Sequence, residues 1–440
     1  MLSIYRNMFK IADLRGKILF TLFIFAVYRL GGAIPVPGVS LSAVQELGQS
    51  QQQAGILGLL NLFSGGALER FSVFSLGIMP YITAAIIMQL LAVVIPKLQA
   101  LQDEGETGQK VITQWTRYIT VVLALLQSTG LTFLFSRGTL TQGISLIPVY
   151  TPARVALIVL TMTAGTAFIM WLGELITERG VGNGMSLIIF IAIASRLPAS
   201  FSQIWAGTLG SGRPGGASIF TVFMLVFLVL IVGIIYVEQG QRRIPIQFAK
   251  RVRGRRVLGG QSTYIPLKVN TAGVIPVIFA TSVMYFPVLI ATAIPADKGV
   301  FLVSLRNWIS VNIGNSAGTS TFYIILLFVL IIFFTYFYTA IQFDPVRQAE
   351  LIQRQGGFIP GVRPGSQTAK HLGHILNRIT LSGSLFLAIV SVLPAIASAI
   401  FNVHVGFSGV SILIVVGVAL ETMKQIESQL TMRNYEGFLT

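Results

Sequence analysis

The 440-residue sequence contains no cysteine. No disulfide framework and no thiolate metal site is therefore available. Histidine occurs three times. His371 and His374 have i,i+3 spacing but no third ligand in view, so no metal site is expected there. Charge is also scarce, at 10% of residues against roughly 25% in an average soluble domain. Acids are the rarer sign: 15 Asp and Glu against 31 Lys and Arg, a net charge of +16. Catalytic motifs are missing too. "GETGQK" fails the spacing of a phosphate loop, and "GRRVLGG" and "TERGVGNG" read as turns. No nucleophile–base pair is evident. The chain is not expected to be an enzyme or to hold a cofactor.

What is present is apolar: 54% hydrophobic residues and a mean hydropathy of +0.78. Runs of about 20 apolar residues recur along the chain, as a hydrocarbon core of about 30 Å demands. Hydropathy places ten spans at roughly 18–35, 72–95, 114–136, 153–174, 185–206, 218–237, 271–294, 320–342, 378–400 and 408–426. Long continuous runs of this kind satisfy their backbone as helices, so the expected class is an all-α polytopic membrane protein. The first run follows Arg6, Lys10, Arg15 and Lys17 and is succeeded by "AIPVPG" rather than a small-residue cleavage site. It reads as a retained first helix.

The basic residues set the direction. With the N-terminus inside, 23 of the 31 Lys and Arg fall on inner segments and seven on outer ones, with Arg29 inside the first span. That excess puts both termini in the cytoplasm. Ten spans split as five plus five, residues 1–207 and 208–440. An odd number per half makes the second half enter from the opposite face, so any structural repeat is inverted.

One stretch resists this scheme. "NLFSGGALERFSVFSLGIMPYITAAIIMQLL", residues 61–91, carries Gly65-Gly66 and then Glu69-Arg70 inside apolar sequence. Charges at the bilayer centre cost about 2.5–3.5 kcal/mol each on the insertion scale. The apolar run at 55–68 is about 14 residues long, too short to cross. The stretch is therefore expected to be a re-entrant half-helix up to about Phe71, with Glu69-Arg70 as an ion pair in a water-accessible cavity. A true span follows from Ser72.

Two inner loops stand out. Residues 238–270 hold eight Lys and Arg and one acid, Glu238. Ile244-to-Phe248 and Val257 read as β-like patches and "RGRR" as a turn, so a basic hairpin is expected. Such an arm is either an anchor to anionic lipid or a docking surface for a polyanion or acidic partner such as ribosomal RNA. Residues 343–378 carry two Gly/Pro turns around "GGFIPGVRPG", with Arg363 at a loop tip. Loops of this length are usually functional or disordered, and the mixed apolar content argues against disorder.

Within the spans, Arg29 can snorkel to the outer interface. Glu174 and Glu421 lie near inner helix ends, and no mid-membrane carboxylate of the kind used by ion-coupled carriers is evident. Thr83, Gln89, Gln127 and Asn270 are milder polar residues that could simply join helices. Ile78 and Ile82 share a helix face at i,i+4, as do Met185 and Ile189. Both pairs follow Gly- or Pro-rich helix starts, "LGIMP" and "GVGNGM".

The sequence resembles the SecY family over its whole length. The matching motifs include "FSGGALERFSVFSLGIMPYITAAIIMQLL", "GETGQK", "MWLGELITERGVGNGMS", "QGQRRIPIQFAKR", "GRRV", "QSTYIPLKVNTAGVIPVIFA", "TAIQFDP" and "FIPGVRPGSQTAK". The family's ten-helix, two-half topology agrees with the one already read from hydropathy and charge. The resemblance implies a protein-conducting channel in the cell membrane. Such a channel passes unfolded secretory chains and releases transmembrane segments sideways into lipid. It implies a plug at about Leu57–Phe71, with Leu59, Leu60, Phe63, Ser64, Gly65, Gly66, Glu69 and Arg70. It implies an apolar pore ring at Ile78, Ile82, Met185, Ile189, Ile278 and Ile414; Met185 departs from the family's isoleucine but stays apolar and flexible. Such a constriction bars ions by dewetting and yields around a passing chain. A lateral gate lies between spans 2 and 3 on one side and 7 and 8 on the other, with polar contacts at Thr83, Gln127 and Asn270. The basic loops become docking surfaces for the ribosome and the SecA motor ATPase, through Arg242, Arg243, Lys250, Arg251, Arg255, Arg256 and Arg363. SecE and SecG are the implied partner subunits, beside signal sequences, nascent chains, anionic lipids and accessory translocase subunits. Energy comes from those partners or the membrane potential, not from a site on this chain.

Two other classes share parts of this pattern. A five-plus-five secondary transporter also has broken helices, but it needs a mid-membrane substrate and ion site. A purely structural scaffold or insertase without a pore is the other, and crosslinking of a stalled secretory chain to Ile82 or Ile278 tests it.

Overall fold

The computed structural model describes residues 11–40, 42, 63–136, 147, 150–210, 216–248, 251–253, 256–258, 262–293, 300–313, 320–401 and 408–436. Helix α1 spans Ala12–Gly31, α2 Met79–Val94 and α3 Pro96–Asp103. Helices α4 Glu106–Ser136, α5 Pro152–Arg179, α6 Gly184–Ala194 and α7 Leu197–Thr208 follow. Helix α8, Gly216–Gln239, leads into strands β1 Gln241–Phe248, β2 Arg251–Arg253, β3 Arg256–Leu258 and β4 Ser262–Lys268. Then come α9 Ile275–Ala293, α10 Val300–Asn312, α11 Thr321–Gln342 and α12 Pro345–Arg354. Strand β5 Gly357–Phe358 and helices α13 Ser366–Phe401 and α14 Gly409–Glu436 complete the order.

A helix overlaps each of the ten apolar runs. Among the described residues, six helical segments are long and apolar enough to cross a membrane, and a seventh if the bent α2–α3 pair counts as one. The faces agree with an apolar surrounding. Helix α8 buries a stripe of Phe223, Leu230 and Ile234, yet leaves Leu225, Leu228, Val229 and Val232 exposed. A helix apolar all round belongs in hydrocarbon or in a large core, not against water. Helix α1 buries Leu14, Thr21, Ile24 and Tyr28 on one face and exposes Leu19, Leu22 and Phe23 on the other.

Proline and glycine explain most boundaries. Ile95 is extended before Pro96, and α2 and α3 meet there at 101°, because a residue preceding proline is driven out of the α region. The expected span 185–206 is one membrane-length segment, Gly184–Thr208, interrupted by a turn at Ser195-Arg196 that divides it into α6 and α7, with Pro198 in the first turn of α7. Helix α6 starts with a built cap: Asn183 accepts hydrogen bonds from the backbone N–H groups of Met185 and Ser186 at 3.1 and 3.4 Å, satisfying donors that a helix start leaves free. Helix α5 and α6 then touch backbone to backbone. A Cβ on Gly184 would fall 1.8 Å from the carbonyl oxygen of Gly173, and the Gly184 N–H donates to Thr177 Oγ1 at 2.9 Å.

Two expectations about the 61–91 stretch are corrected. The half-helix does not run to Phe71: among the described residues it ends at Ser64, and 65–71 are turns apart from the helix. Gly65 and Gly66 take φ of +64° and +90°, the left-handed region that stops a helix and suits glycine. The following span begins at Met79, not Ser72. Residues 71–73 instead lie beside 34–36, with Val36 N–H donating to Phe71 O and Val73 N–H to Ile34 O, both at 2.9 Å. Positions 57–62 lie outside the described residues. Helix α10 was not expected; its 13 residues are too few to cross, and it packs on α9 and α11.

Beyond the helix ends, β4, β1 and β5 form an antiparallel sheet, with Ile244 opposite Ile265. Ile244 and Ile246, two apart, face one side and bury against Leu267, Ala349, Ile352, Leu372 and Ile375. The expected hairpin is present: β2 pairs with β3, Arg253 opposite Arg256.

Candidate functional site

The largest apolar cluster takes in residues from both halves of the chain. Ile78, Ile82, Ile189, Ile278 and Ile414 are buried in it, and Met185 packs against it. Ile78 is the residue before α2, and its carbonyl accepts the Ile82 N–H at 3.1 Å. Met185 and Ile189 lie on α6, Ile278 on α9 and Ile414 on α14. Five of the six expected ring residues thus lie on four helices, with Ile78 at the entry to α2, and all six belong to this one large apolar cluster. Side chains of this kind offer no hydrogen bond to an ion stripped of water.

The three expected gate residues are all buried. Thr83 Oγ1 donates back to Met79 O at 3.0 Å within α2. Asn270 precedes α9; its Nδ2 donates to Glu238 Oε1 and, at 3.0 Å, to Gly273 O. Its Oδ1 is buried with no partner among the described residues. Helix α9 packs against α2 and α4, the helices that carry Thr83 and Gln127. The hydrogen bonds of Thr83 and Asn270 go to their own side of that contact.

Around Ser64–Arg70 the ion pair differs from the expected one. Glu69 pairs with Arg196, at the α6–α7 break and 127 positions away in sequence, and not with its neighbour Arg70. Arg70 is exposed. Arg29 is exposed, in keeping with a cation that snorkels from the end of the first span, and donates from Nη1 to Gly65 O at 3.0 Å. Tyr28 Oη donates to Ser64 O at 3.4 Å. Leu59 and Leu60 lie outside the described residues. Sequence reading missed Arg196 as a site residue. The available signal was a cation inside the expected span 185–206. Glu238 was likewise passed over as the one acid in a basic loop.

On the basic face, Arg242 and Arg243 are exposed on β1, and the Arg243 guanidinium sits 4.9 Å over the Tyr264 ring. Arg363 is exposed in the turn between Gly361 and Gly365, whose φ values are +82° and +100°. Arg251 and Arg256 lie on β2 and β3. Lys250 and Arg255 lie outside the described residues. Arg347 on α12 pairs with Asp103 on α3 at 2.8 Å, linking loops of the two halves.

Comparison with known proteins bears on this arrangement. The SecY family model matches residues 72–423. The protein translocase subunit SecY of Streptomyces coelicolor is 51% identical over 446 residues, covering 100% of both chains. That of Mycobacterium tuberculosis strain H37Rv is 50% identical over 450 residues, again with 100% of both covered. Three solved structures share the fold at low identity. A protein-conducting channel superposes with a TM-score of 0.61 and 18% identity, covering 94% of this chain and 92% of that one. A SecY channel described as having a plug domain that stabilises its closed state gives 0.59 and 18%, with the same coverage. Sec61 in a canine ribosome–channel complex gives 0.56 and 16%, again covering 94% and 92%. The chain belongs to the SecY family: it is a multi-pass membrane subunit of the protein translocase and not itself an enzyme.

Proposed function

We propose that this chain forms the pore through which unfolded secretory polypeptides cross the cell membrane. The observation that supports the reading is that Ile78, Ile82, Met185, Ile189, Ile278 and Ile414, from four helices and the entry to one of them, all belong to one apolar cluster. In this reading ten spans form two inverted halves, residues 1–207 and 208–440, with both termini cytoplasmic. The segment at about 57–71 is the plug. The six apolar residues are the waist that closes around it or around a passing chain. Water is unstable in a narrow apolar constriction, so ions are barred while a polypeptide is accommodated.

The contact of α9 with α2 and α4 supports a lateral gate at Thr83, Gln127 and Asn270. Parting there exposes the pore to lipid, and a signal sequence or membrane segment sufficiently apolar moves into hydrocarbon. The Arg-rich sheet and the Arg363 turn serve as the docking face. The described Sec61 relative is bound to a ribosome, and ribosomal RNA is a polyanion suited to Arg242, Arg243, Lys250, Arg251, Arg255, Arg256 and Arg363. SecA takes the same face when it drives export. SecE and SecG complete the assembly, and anionic lipid headgroups lie against its basic rim.

The test is photocrosslinking from Ile82 and Ile278 to a secretory chain stalled in transit. Capture is expected at both positions. Absence of capture at either one removes the pore reading in favour of a scaffold.

A further inference from the structure

We infer that Arg196 is a positioning residue that fastens the plug segment to the channel wall through Glu69, with Arg29 as its second anchor. The inference rests on reading residues 57–71 as the plug. Its physical basis is a set of contacts spread over six successive residues. Tyr28 Oη donates to Ser64 O, Arg29 Nη1 donates to Gly65 O at 3.0 Å, and Arg196 Nη2 donates to Glu69 Oε1. At Gly65 a Cβ would stand 3.0 Å from Ala192 Cα, so the segment's backbone rests directly on α6. At Gly66 a Cβ would stand 2.9 Å from Arg196 Nη1. One guanidinium therefore spans the Gly66 backbone and the Glu69 carboxylate.

The origin of the two arginines matters. Arg29 comes from the end of α1, and Arg196 from the break between α6 and α7. Both elements precede the midpoint of the chain, so the segment is tied to one half only. The break leaves Arg196 outside both helices, so its side chain projects across the Gly66 backbone. The two charged side chains are 24% and 30% exposed. An ion pair that water can reach is a weak fastening and is screened by salt. That suits a closure that must open whenever a chain arrives. The pair holds the segment in register at rest and can be surrendered without burying an uncompensated charge.

The test uses the full chain reconstituted with its translocase subunits in vesicles, with ion leak in the absence of substrate as the first readout. Arg196→Gln and Glu69→Gln are each expected to raise leak several-fold. The double variant is expected to leak no more than the worse single, because both remove the same contact. Arg196→Lys is expected to restore most of the seal, which a purely steric role for the arginine would not predict. The second readout exploits the absence of native cysteine. With Ala67→Cys, a residue buried at 3% exposure, maleimide labelling is expected to speed up when Arg196→Gln is added. Deletion of residues 57–67 separates the two ideas. If the deletion leaks while Arg196→Gln and Glu69→Gln seal and label like the parent, the fastening is wrong and the plug stands. If the deletion does not leak, the plug reading fails and the inference with it.

Discussion

A methyl group on Gly184 has no room. Its Cβ would lie 1.8 Å from the Gly173 carbonyl and 2.8 Å from Ile176 Cβ, so Gly184→Ala must push α5 and α6 apart. Overpacking of this kind costs about 1–3 kcal/mol, and a lower melting temperature in detergent is expected; an unchanged one would show that the helices can separate freely. Asn270 offers a second test. Glu238→Ala removes one acceptor from its buried amide and leaves Gly273 O as the remaining one. Leaving a buried donor short of a partner costs about 1–3 kcal/mol, so the variant should unfold at lower denaturant concentration, while Glu238→Gln should retain most of the contact. Single residues were also where the sequence was least readable. Glu69 beside Arg70 looks like a local pair, but side chains of adjacent residues diverge, and the true partner needs the fold to bring it from 127 positions away.

Elements were more legible than their ends. Each apolar run became helix because a continuous apolar stretch leaves the backbone no other way to satisfy itself in lipid. The start of α2 was misjudged because residues 72–78 are apolar enough to extend it, while Gly77, at φ +56° and with Phe63 O 2.9 Å from any added Cβ, turns the chain. Hydropathy carries no information about backbone handedness. Helix α12 tests a readable end. Asp344 caps it, accepting from Val346 and Arg347 N–H groups at 2.9 and 3.4 Å, and Asp344→Ala should cost about 1 kcal/mol. Hydrogen exchange over 345–354 is the measurement, with faster exchange expected in the first turn. The proposed waist draws on several elements, and Ile82→Ser with Ile278→Ser should wet it. Raised ion conductance in planar bilayers is expected; parental conductance would discredit the apolar seal.

At the scale of the whole molecule, the charge distribution was readable because cations are few. The clustering of Lys and Arg at 242–268 has become an antiparallel sheet with its own apolar underside. Reversal of Arg242 and Arg243 to Glu should weaken ribosome binding and make its salt dependence shallower, since fewer counterions are released. Equal affinity and slope would remove these positions from the docking face. The assembly of the candidate site was not readable from spacing. Ile78 and Ile82 announce a shared face, but nothing in the sequence pattern alone joins them to Ile278 or Ile414; resemblance to the family supplied that link.

The backbone contact between α5 and α6 carries a mechanical consequence. Where Gly184 meets the Gly173 carbonyl the two helices touch with no side chain between them, and the Thr177–Gly184 hydrogen bond joins them, so that point has little to compress. A shift of one helix at that point is passed to the other. In the proposed pore, Met185 and Ile189 ride on that joined pair, so its share of any increase in bore comes from rotamer changes, the flexible thioether of Met185 foremost. The remaining dilation falls to the helices bearing Ile82, Ile278 and Ile414. In that reading the aperture is stiff on one side and yielding on the other, and a bulky chain in transit is pressed toward the yielding side.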